Sequence, residues 1–191
     1  MSSDGKNILS QLPAFADYVA LKDFICAWDR WRGDEIAPSR SQIKLQDMPD
    51  LMRGMMLMEA LSPEQLIFRF SGSLYQDIYG FDFTGLNYLD ITEEGARSLR
   101  SRRLWPVASL PVMAVWATPS VLGTDFVGVS VPIMPDIPGN ARKIMQVLVP
   151  VRDHHHLATE RKRRGQRHVE FSDHFRYLDI GAGKPAYDVE A

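Results

Sequence analysis

Residues 68–91, FRFSGSLYQDIYGFDFTGLNYLDI, indicate the fold of this chain more clearly than any other stretch. At its start, Phe68 and Phe70 alternate with Arg69 and Ser71, which is the period of a β-strand with one apolar face. Gly72 follows, and glycine commonly marks the point where a strand ends and the chain turns. The stretch therefore begins as a strand that lays its aromatic side chains on one side of a sheet.

Two short helical segments are predicted after this strand. Residues 73–79 carry aromatic residues and are followed by Gly80, which suits the end of a short helix, and a second compact segment starts at Thr84 and Gly85. Aromatic residues occur throughout, beside a strand on one side and helices on the other. This arrangement predicts a pocket for a small molecule with a sheet as one wall and helices as the other.

The composition is that of an ordinary globular protein. The chain has 191 residues, 45% of them hydrophobic and 24% charged, with a formal net charge of −2. That charge predicts no general attraction to nucleic acid or to an anionic membrane. Cys26 is the single cysteine, and the first residues, MSSDGKNILSQL, lack the apolar core of a signal peptide. We therefore expect a cytoplasmic protein with no membrane-spanning segment.

An amphipathic helix is predicted from about Tyr18 to Arg32, with Gly33 as its C-cap. Its apolar residues recur at spacings of three and four. Such a stripe, with two tryptophans, is a reasonable surface for a second copy of the chain or for another partner. The residues expected on this partner surface are Leu21, Phe24, Trp28 and Trp31.

Five strands and one longer helix account for the middle of the chain. The helix runs from about Thr92 through Arg103, and Pro106 is expected to end or kink it. The predicted strands show period-two alternation or continuous apolar runs and cover residues 55–61, 66–70, 111–118, 127–133 and 145–151. This order predicts an α+β fold, a five-stranded antiparallel sheet with helices on one face, plus an N-terminal helix and a C-terminal tail.

The sequence divides into four parts. We expect a flexible N-terminus over residues 1–17, a helix and connection over 18–53, a core over 54–153 and a basic tail over 154–191. Within the tail, Phe171 to Ile180 is apolar enough to dock as a helix or strand against the sheet, or to contact a partner.

Several short sequence motifs, in the order in which they occur, resemble those of the PAS domain, in particular of the small stand-alone PAS proteins of Alphaproteobacteria. The resemblance covers about Phe24 to Val151, and the chain departs from the pattern at Phe81 and Leu86, where an arginine or a polar residue is typical. The matching motifs are Trp28 to Gly33 (WDRWRG), Pro38 to Ile43 (PSRSQI), Gly72 to Leu74 (GSL), and Tyr79 to Leu86 (YGFDFTGL) with Asp90 after them.

The resemblance implies a fold that senses a ligand or a partner and does not catalyse. PAS-like domains bind haem, flavin, a chromophore or a metabolite, or bind nothing and dimerise. Covalent flavin chemistry needs a cysteine on a helix beside the sheet, whereas Cys26 lies in the N-terminal helix, where we expect a buried, unreactive thiol. Haem needs an axial histidine, and residues 73–103 contain none. The cofactor is left unknown.

The predicted pocket has an apolar, aromatic lining. Tyr75, Tyr79 and Trp116 would donate hydrogen bonds to a ligand, and Arg69 would hold an acidic group at the rim. The alternative is that the same side chains fill an ordinary hydrophobic core. The pocket candidates are Met58, Phe68, Phe70, Tyr75, Ile78, Tyr79, Phe83, Met113 and Trp116.

Two polar runs near the end of the chain invite further interpretations. Asp153 and the three histidines at 154–156 have ligand chemistry, but adjacent side chains at a strand end point in different directions, so no specific metal site is expected. Glu160 to Arg167, ERKRRGQR, carries five positive charges. It is either a solvated connector or a contact for nucleic acid, and few aromatics accompany it, so nucleic-acid binding is disfavoured.

No sequence motif for a reaction is present, since the chain lacks a glycine-rich phosphate loop, a GxSxG elbow and a paired-histidine metal signature. We therefore expect no enzyme. The sequence predicts a small sensory protein that binds a small molecule, a signalling partner, or both, as a homodimer with no output domain of its own. The alternative is a ligand-free dimerisation or adaptor protein.

Overall fold

Six antiparallel strands form the framework of the computed structural model, which describes residues 8–121, 124–151, 174–187 and 189. In the sheet the strands lie in the order β2-β1-β5-β4-β3-β6. The strands are β1 (Met55–Ser62), β2 (Gln65–Ser71), β3 (Met113–Val121), β4 (Thr124–Ile133), β5 (Arg142–Pro150) and β6 (His174–Leu178).

The α+β fold with an antiparallel sheet is confirmed, but the sheet has six strands where five were expected. The sixth lies in the segment assigned to the basic tail, because Phe175 and Tyr177 alternate with polar neighbours and bury their rings when β6 pairs with β3. In the N-terminal segment expected to be flexible, the described residues 8–17 also contact the rest of the chain. Ile8 is buried, and the side-chain amide of Gln11 exchanges two hydrogen bonds with the backbone of Asp179.

Three helices, α1 (Val19–Arg32), α2 (Ser73–Tyr79) and α3 (Arg97–Ser109), pack on this sheet. Helix α2 ends at Gly80, whose φ of 83° is left-handed and therefore suits glycine. Short 3-10 helices complete the connections, at Ala14–Ala16, Arg40–Gln42, Leu45–Asp47, Pro49–Gly54 and Glu94–Ala96.

Of the two expectations for Pro106, that it ends the helix or kinks it, the first is wrong, since Pro106 lies inside α3. A proline in a helix leaves the carbonyl group four residues earlier without its usual donor. Here that carbonyl belongs to Arg102, and the hydroxyl of Tyr177 on β6 lies 3.1 Å from it. The same hydroxyl also lies 2.9 Å from the carbonyl of Arg103, so a distant strand offers a donor to the turn of α3 that Pro106 leaves short of one.

Helices cover both faces of the sheet, not one. Helix α1 packs on one face, here called the α1 face, against inward residues such as Val115, Val129 and Val147. Helices α2 and α3 cover the other, here called the α3 face, against residues such as Phe68 and Ile144. Both faces need a cover because the central strands carry buried side chains on both sides.

The stripe on α1 that was expected to form a partner surface faces its own sheet instead. Leu21, Phe24 and Trp28 are fully buried, and Trp31 is nearly so. The indole N–H of Trp28 donates to the carbonyl of Pro132 at 3.1 Å, and that of Trp31 donates to Asp47 Oδ2 at 3.2 Å. The apolar α1 face of the sheet takes up the stripe, so these four side chains do not present a surface to another molecule.

Candidate functional site

Most of the predicted pocket residues come together on the α3 face, where they form a packed aromatic cluster. Phe83 is fully buried at its centre. The centroid of the Phe83 ring lies 4.9–5.9 Å from the ring centroids of Phe68, Tyr75, Tyr79 and Phe81. Met58 and Ile78 are buried in the same core. Side chains therefore occupy the space around Phe83, which agrees with the alternative that these residues fill a hydrophobic core.

Phe70 is not part of this cluster. Leu57 pairs with Phe70 and Met58 pairs with Phe68, so Arg69 is an extra residue in β2, a β-bulge. A bulge reverses the alternation of side chains beyond it. Phe70 therefore turns to the α1 side of the sheet, where its side chain is 38% exposed. Arg69 donates to Glu59 Oε2 rather than standing at a pocket rim.

Met113 and Trp116 also lie on opposite faces of the sheet. Both are in β3, and neighbouring strand residues alternate, so residues three apart cannot share a face. Met113 belongs to the core under α1, while Trp116 packs against the core under α3. Met113 is thus excluded from the α3 face, and Trp116 remains there.

A polar group interrupts the apolar α3 face near Trp116. The indole N–H of Trp116 donates to Ser130 Oγ at 3.1 Å, and Gln146 Nε2 donates to the same oxygen at 2.7 Å. Ser130 is fully buried and Gln146 is 5% exposed. The indole lies over Gly128, where an added Cβ would come within 2.2 Å of a ring carbon. Glycine at 128 therefore makes room for the ring.

The side-chain amide of Gln146 is only half satisfied. One end bonds to Ser130, and the other end has no hydrogen-bond partner among the described residues. The conclusion is the same if the amide is turned over, since one end then accepts from the hydroxyl of Ser130 and the other still has no partner. The group offers a neutral donor or acceptor inside an apolar layer.

Ser130 and Gln146 were not predicted from the sequence as functional candidates. Each is the polar member of an alternating strand, which is the usual sign of a side chain that faces water. In this sheet both faces are covered, so the polar positions of β4 and β5 lie under α3. The sequence carries one signal for their burial. The chain before β1 is long enough to form a second layer of helices on the sheet, which would leave neither face of the sheet open to water.

Tyr75 uses its hydroxyl within the protein rather than for a ligand. The hydroxyl donates to the carbonyl of Gly54 at 2.9 Å, in a buried position between α2 and the start of β1. Burial raises the pKa of Tyr75 above its ordinary value of 10.0, and the neighbouring Tyr88 adds to the effect. The side chain is therefore a neutral link that holds α2 on the sheet.

Tyr75→Phe should lower the free energy of unfolding by about 1–2 kcal/mol, because the buried carbonyl of Gly54 then loses its donor. The unfolded tyrosine ionises near its ordinary pKa of 10.0, whereas the folded one stays neutral. The stability that Tyr75 contributes is thus fully present below pH 10.0 and is lost progressively as the pH rises above it, because ionisation then stabilises the unfolded state. Urea titrations should show that the difference in the free energy of unfolding between wild type and Tyr75→Phe is smaller at alkaline pH than at neutral pH.

Tyr18→Phe is the matched control, since the hydroxyl of Tyr18 makes no hydrogen bond among the described residues. Its free energy of unfolding should stay within about 0.5 kcal/mol of wild type. A Tyr75→Phe variant as stable as the control would show that the Tyr75 hydroxyl does not hold α2.

A separate groove of about 410 Å³ lies on the outer side of α1, between that helix and residues 47–51. Its polar lining includes Asp23, Asp47, Asp50 and Arg30. Cys26 also lines it and is partly exposed rather than buried. The groove gives the one cysteine access to water, but no described side chain in it has the geometry of a catalytic or metal site.

The polar runs singled out in the sequence fall where the structure gives no description. Asp153, the histidines at 154–156 and the basic run at 160–167 all lie outside the described residues. Within the described part of the chain, no cluster of three or more His, Cys, Asp or Glu side chains could hold a metal ion. In that same part, no helix is long and apolar enough to cross a membrane.

In this chain a short and a longer helix lie across one face of an antiparallel sheet. A family model described as a PAS domain matches residues 17–130, well over half of the sequence. The chain therefore belongs to the PAS domain family, as its short sequence motifs indicated. No curated protein and no solved structure matches the chain significantly. Domains of this family are in general sensory or regulatory, and they commonly mediate dimerisation or protein interaction.

Proposed function

We propose that this chain is a sensory protein that binds a small, uncharged polar molecule on the α3 face, beside Gln146. The observation that carries the proposal is the half-satisfied amide of Gln146, which is 5% exposed. A buried polar group without a partner costs about 1–3 kcal/mol, so a chain retains one mainly where something binds it. A ligand with a carbonyl, hydroxyl or amide group would satisfy it.

Trp116 supplies a route by which such a molecule would reach Gln146. Its indole is only partly buried, and it occupies the space above Gly128. Rotation of the ring away from Gly128 opens that space next to Ser130 and breaks one hydrogen bond, the one from Trp116 to Ser130. In this proposal the indole closes the empty site, and the ligand takes its place.

A molecule at Gln146 would act on both sides of the sheet. Gln146 faces α3, while its neighbours Met145 and Val147 pack into the core under α1. A small movement of β5 therefore changes the packing of α1 on the opposite face. The output of the proposed sensor is a change in a protein contact, because the sequence carries no motif for a reaction.

Native mass spectrometry of gently purified protein tests the proposal. The wild type should carry one additional small mass that is lost on denaturation, and Gln146→Leu should weaken its binding by about tenfold or more. Gln65→Leu makes the same chemical change at an exposed position and should retain the ligand. A wild type without added mass, both as purified and after a screen of neutral metabolites, would reject the sensor, as would ligand retention in Gln146→Leu.

A second function, a ligand-free dimerisation or adaptor module, is favoured by the packing around Phe83. The ring contacts there leave the predicted pocket filled by the protein's own side chains. The four α1 residues predicted as a dimer surface are buried, so a dimer would use other residues. An apo dimer in the same native spectra would support this function over the sensor.

A further inference from the structure

The hydroxyl group of Ser130 determines which end of the Gln146 amide is left free. Ser130 is fully buried, and a hydroxyl accepts hydrogen bonds through two lone pairs and donates one through its proton. The indole N–H of Trp116 can only donate, so it takes one of these lone pairs. The proton needs an acceptor, because buried polar groups are rarely left unpaired. Within the described part of the chain, the amide of Gln146 is the one group in contact that can accept it.

The amide of Gln146 accepts this proton only when its oxygen faces Ser130. The two ends of a side-chain amide have the same shape, so the surrounding hydrogen bonds decide which end is the oxygen. With Nε2 toward Ser130 Oγ, the hydroxyl proton has no acceptor among the residues that the structure describes, whereas Oε1 in that place provides one. The separation of 2.7 Å agrees with the second orientation, because it is typical of O–H···O contacts at about 2.7–2.8 Å and short for N–H···O contacts at about 2.9–3.0 Å.

The end of the Gln146 amide that remains free is therefore its NH2 group. Gln146 pairs with Met56 of β1 and with Ser130 of β4, and Ile144 and Leu148 lie on the same face of its own strand. Three of these four neighbours are buried apolar side chains that carry no oxygen. Two N–H donors thus lie in an apolar layer with no acceptor from residues 8–121, 124–151, 174–187 or 189.

The indole of Trp116 meets only one of the two requirements of this site. Its N–H donates to Ser130 Oγ, and its ring occupies the space over Gly128. The indole carries no hydrogen-bond acceptor, so it leaves the NH2 group of Gln146 unpaired. A ring of the same size with an oxygen next to its N–H would keep the hydrogen bond to Ser130 and also supply the acceptor. Such a ring makes a hydrogen bond that the protein's own indole cannot make, and this gain favours the exchange.

We propose that the site selects a cyclic amide, a planar ring in which an N–H adjoins a C=O group. The N–H takes the place of the indole N–H at Ser130, and the carbonyl oxygen accepts from the NH2 group of Gln146. The inference rests on the proposed function, since it specifies the ligand of the same site. A cyclic amide is neutral, which suits an apolar layer where burying a charge is costly.

The orientation of the Gln146 amide is measured by NMR on the ligand-free wild type. The NH2 signals of Gln146, identified by their loss in Gln146→Leu, should show weak or no cross peaks to the β-protons of Ser130. Gln11 is the control in the same spectra, because its Nε2 donates to the carbonyl of Asp179 and its oxygen accepts from the N–H of that residue. Its NH2 signals should show clear cross peaks to the α-proton of Asp179. Cross peaks of equal strength between Gln146 and Ser130 would overturn the proposal.

Three compounds about the size of an indole ring separate the two requirements. Oxindole carries N–H and C=O side by side, indole carries the N–H alone, and 2-indanone carries the C=O alone. They are titrated into Trp116→Ala, which removes the indole from the space over Gly128, and calorimetry measures each affinity. Oxindole should bind about tenfold more tightly than the other two, because each of those leaves one polar group of the site unpaired. Wild type should show the same order at lower affinity, since its own indole competes.

Further substitutions in the Trp116→Ala background assign the two hydrogen bonds. Gln146→Leu should abolish the preference for oxindole over indole, because it removes the NH2 group that the carbonyl needs. Ser130→Ala should abolish the preference for oxindole over 2-indanone, because it removes the acceptor for the ring N–H. Gln65→Leu makes the same change as Gln146→Leu at an exposed position and should retain both preferences.

The outcomes separate this inference from the proposed function. Equal affinity of the three compounds for Trp116→Ala, or a co-purified ligand without a cyclic amide, would overturn the inference and leave the sensor standing. No bound molecule in wild type, together with no binding of the three compounds by Trp116→Ala, would reject both. A preference for oxindole that Gln146→Leu and Ser130→Ala remove would support both.

Discussion

Phe83→Ala should lower the free energy of unfolding by about 3–5 kcal/mol, the cost typical of emptying a well-packed aromatic site. Phe83 is fully buried and contacts four other aromatic rings, from β2, from α2 and from the turn after it. These rings belong to three different segments, so the space cannot close by the movement of one side chain. Urea titration followed by circular dichroism measures the change.

Leu86→Ala is the comparison for this experiment. Leu86 lies three residues away and is 39% exposed, so its loss should cost less than about 1 kcal/mol. The cavity left by Phe83→Ala should also bind small apolar molecules such as benzene, since apolar cavities of this kind stay dry. A cost below about 1 kcal/mol for Phe83→Ala would mean that the rings line an open pocket and do not form a core.

Gly54→Ala is expected to cost about 3 kcal/mol, near the upper end for overpacking. An added Cβ would come within 2.1 Å of the carbonyl oxygen of Leu148 on β5. A backbone oxygen in a paired strand cannot move aside as the end of a side chain can. Gly54 also accepts the hydrogen bond from Tyr75, so a displacement of Gly54 weakens the attachment of α2 as well.

Gly95→Ala is the matched control, because an added Cβ at this position meets no atom within 4 Å. Its free energy of unfolding should stay within about 0.5 kcal/mol of wild type. Thermal and urea unfolding of the two variants side by side separate the effect of the close approach from that of losing a glycine. Equal stability of the two variants would contradict the close contact between Gly54 and β5.

Local patterns in the sequence were enough to predict most elements. The predicted helix over residues 73–79 coincides with α2, and the predicted helix from Tyr18 to Arg32 differs from α1 by one residue. Both end at glycines, and both depend on neighbours close in sequence. Period-two alternation likewise predicted β4 and β5. These signals are local, so a single sequence carries them.

What the sequence could not predict depends on contacts between distant residues. The bulge at Arg69 changes the face of Phe70 without changing its strand propensity. The donor that faces the carbonyl of Arg102, four residues before Pro106, comes from Tyr177 on a strand far along the chain. The stripe on α1 has the same pattern whether it meets a partner or its own sheet. The candidate site at Gln146 was missed for the same reason, since its burial comes from α3 and not from its own strand.

The position of β6 at the sheet edge has a consequence for the order of folding. β3 pairs with β4 and β4 with β5 over short connections, whereas Ala117 of β3 pairs with His174 of β6 across a long stretch of chain. Long loops close more slowly than hairpins, so β6 is expected to pair with β3 after the hairpins of β3, β4 and β5 have formed. During synthesis, the carbonyl of Arg102 is therefore formed well before the hydroxyl of Tyr177 that donates to it in the folded chain. Water is expected to hydrate that carbonyl until then, and the last turn of α3 gains its protein donor only when β6 has paired with β3.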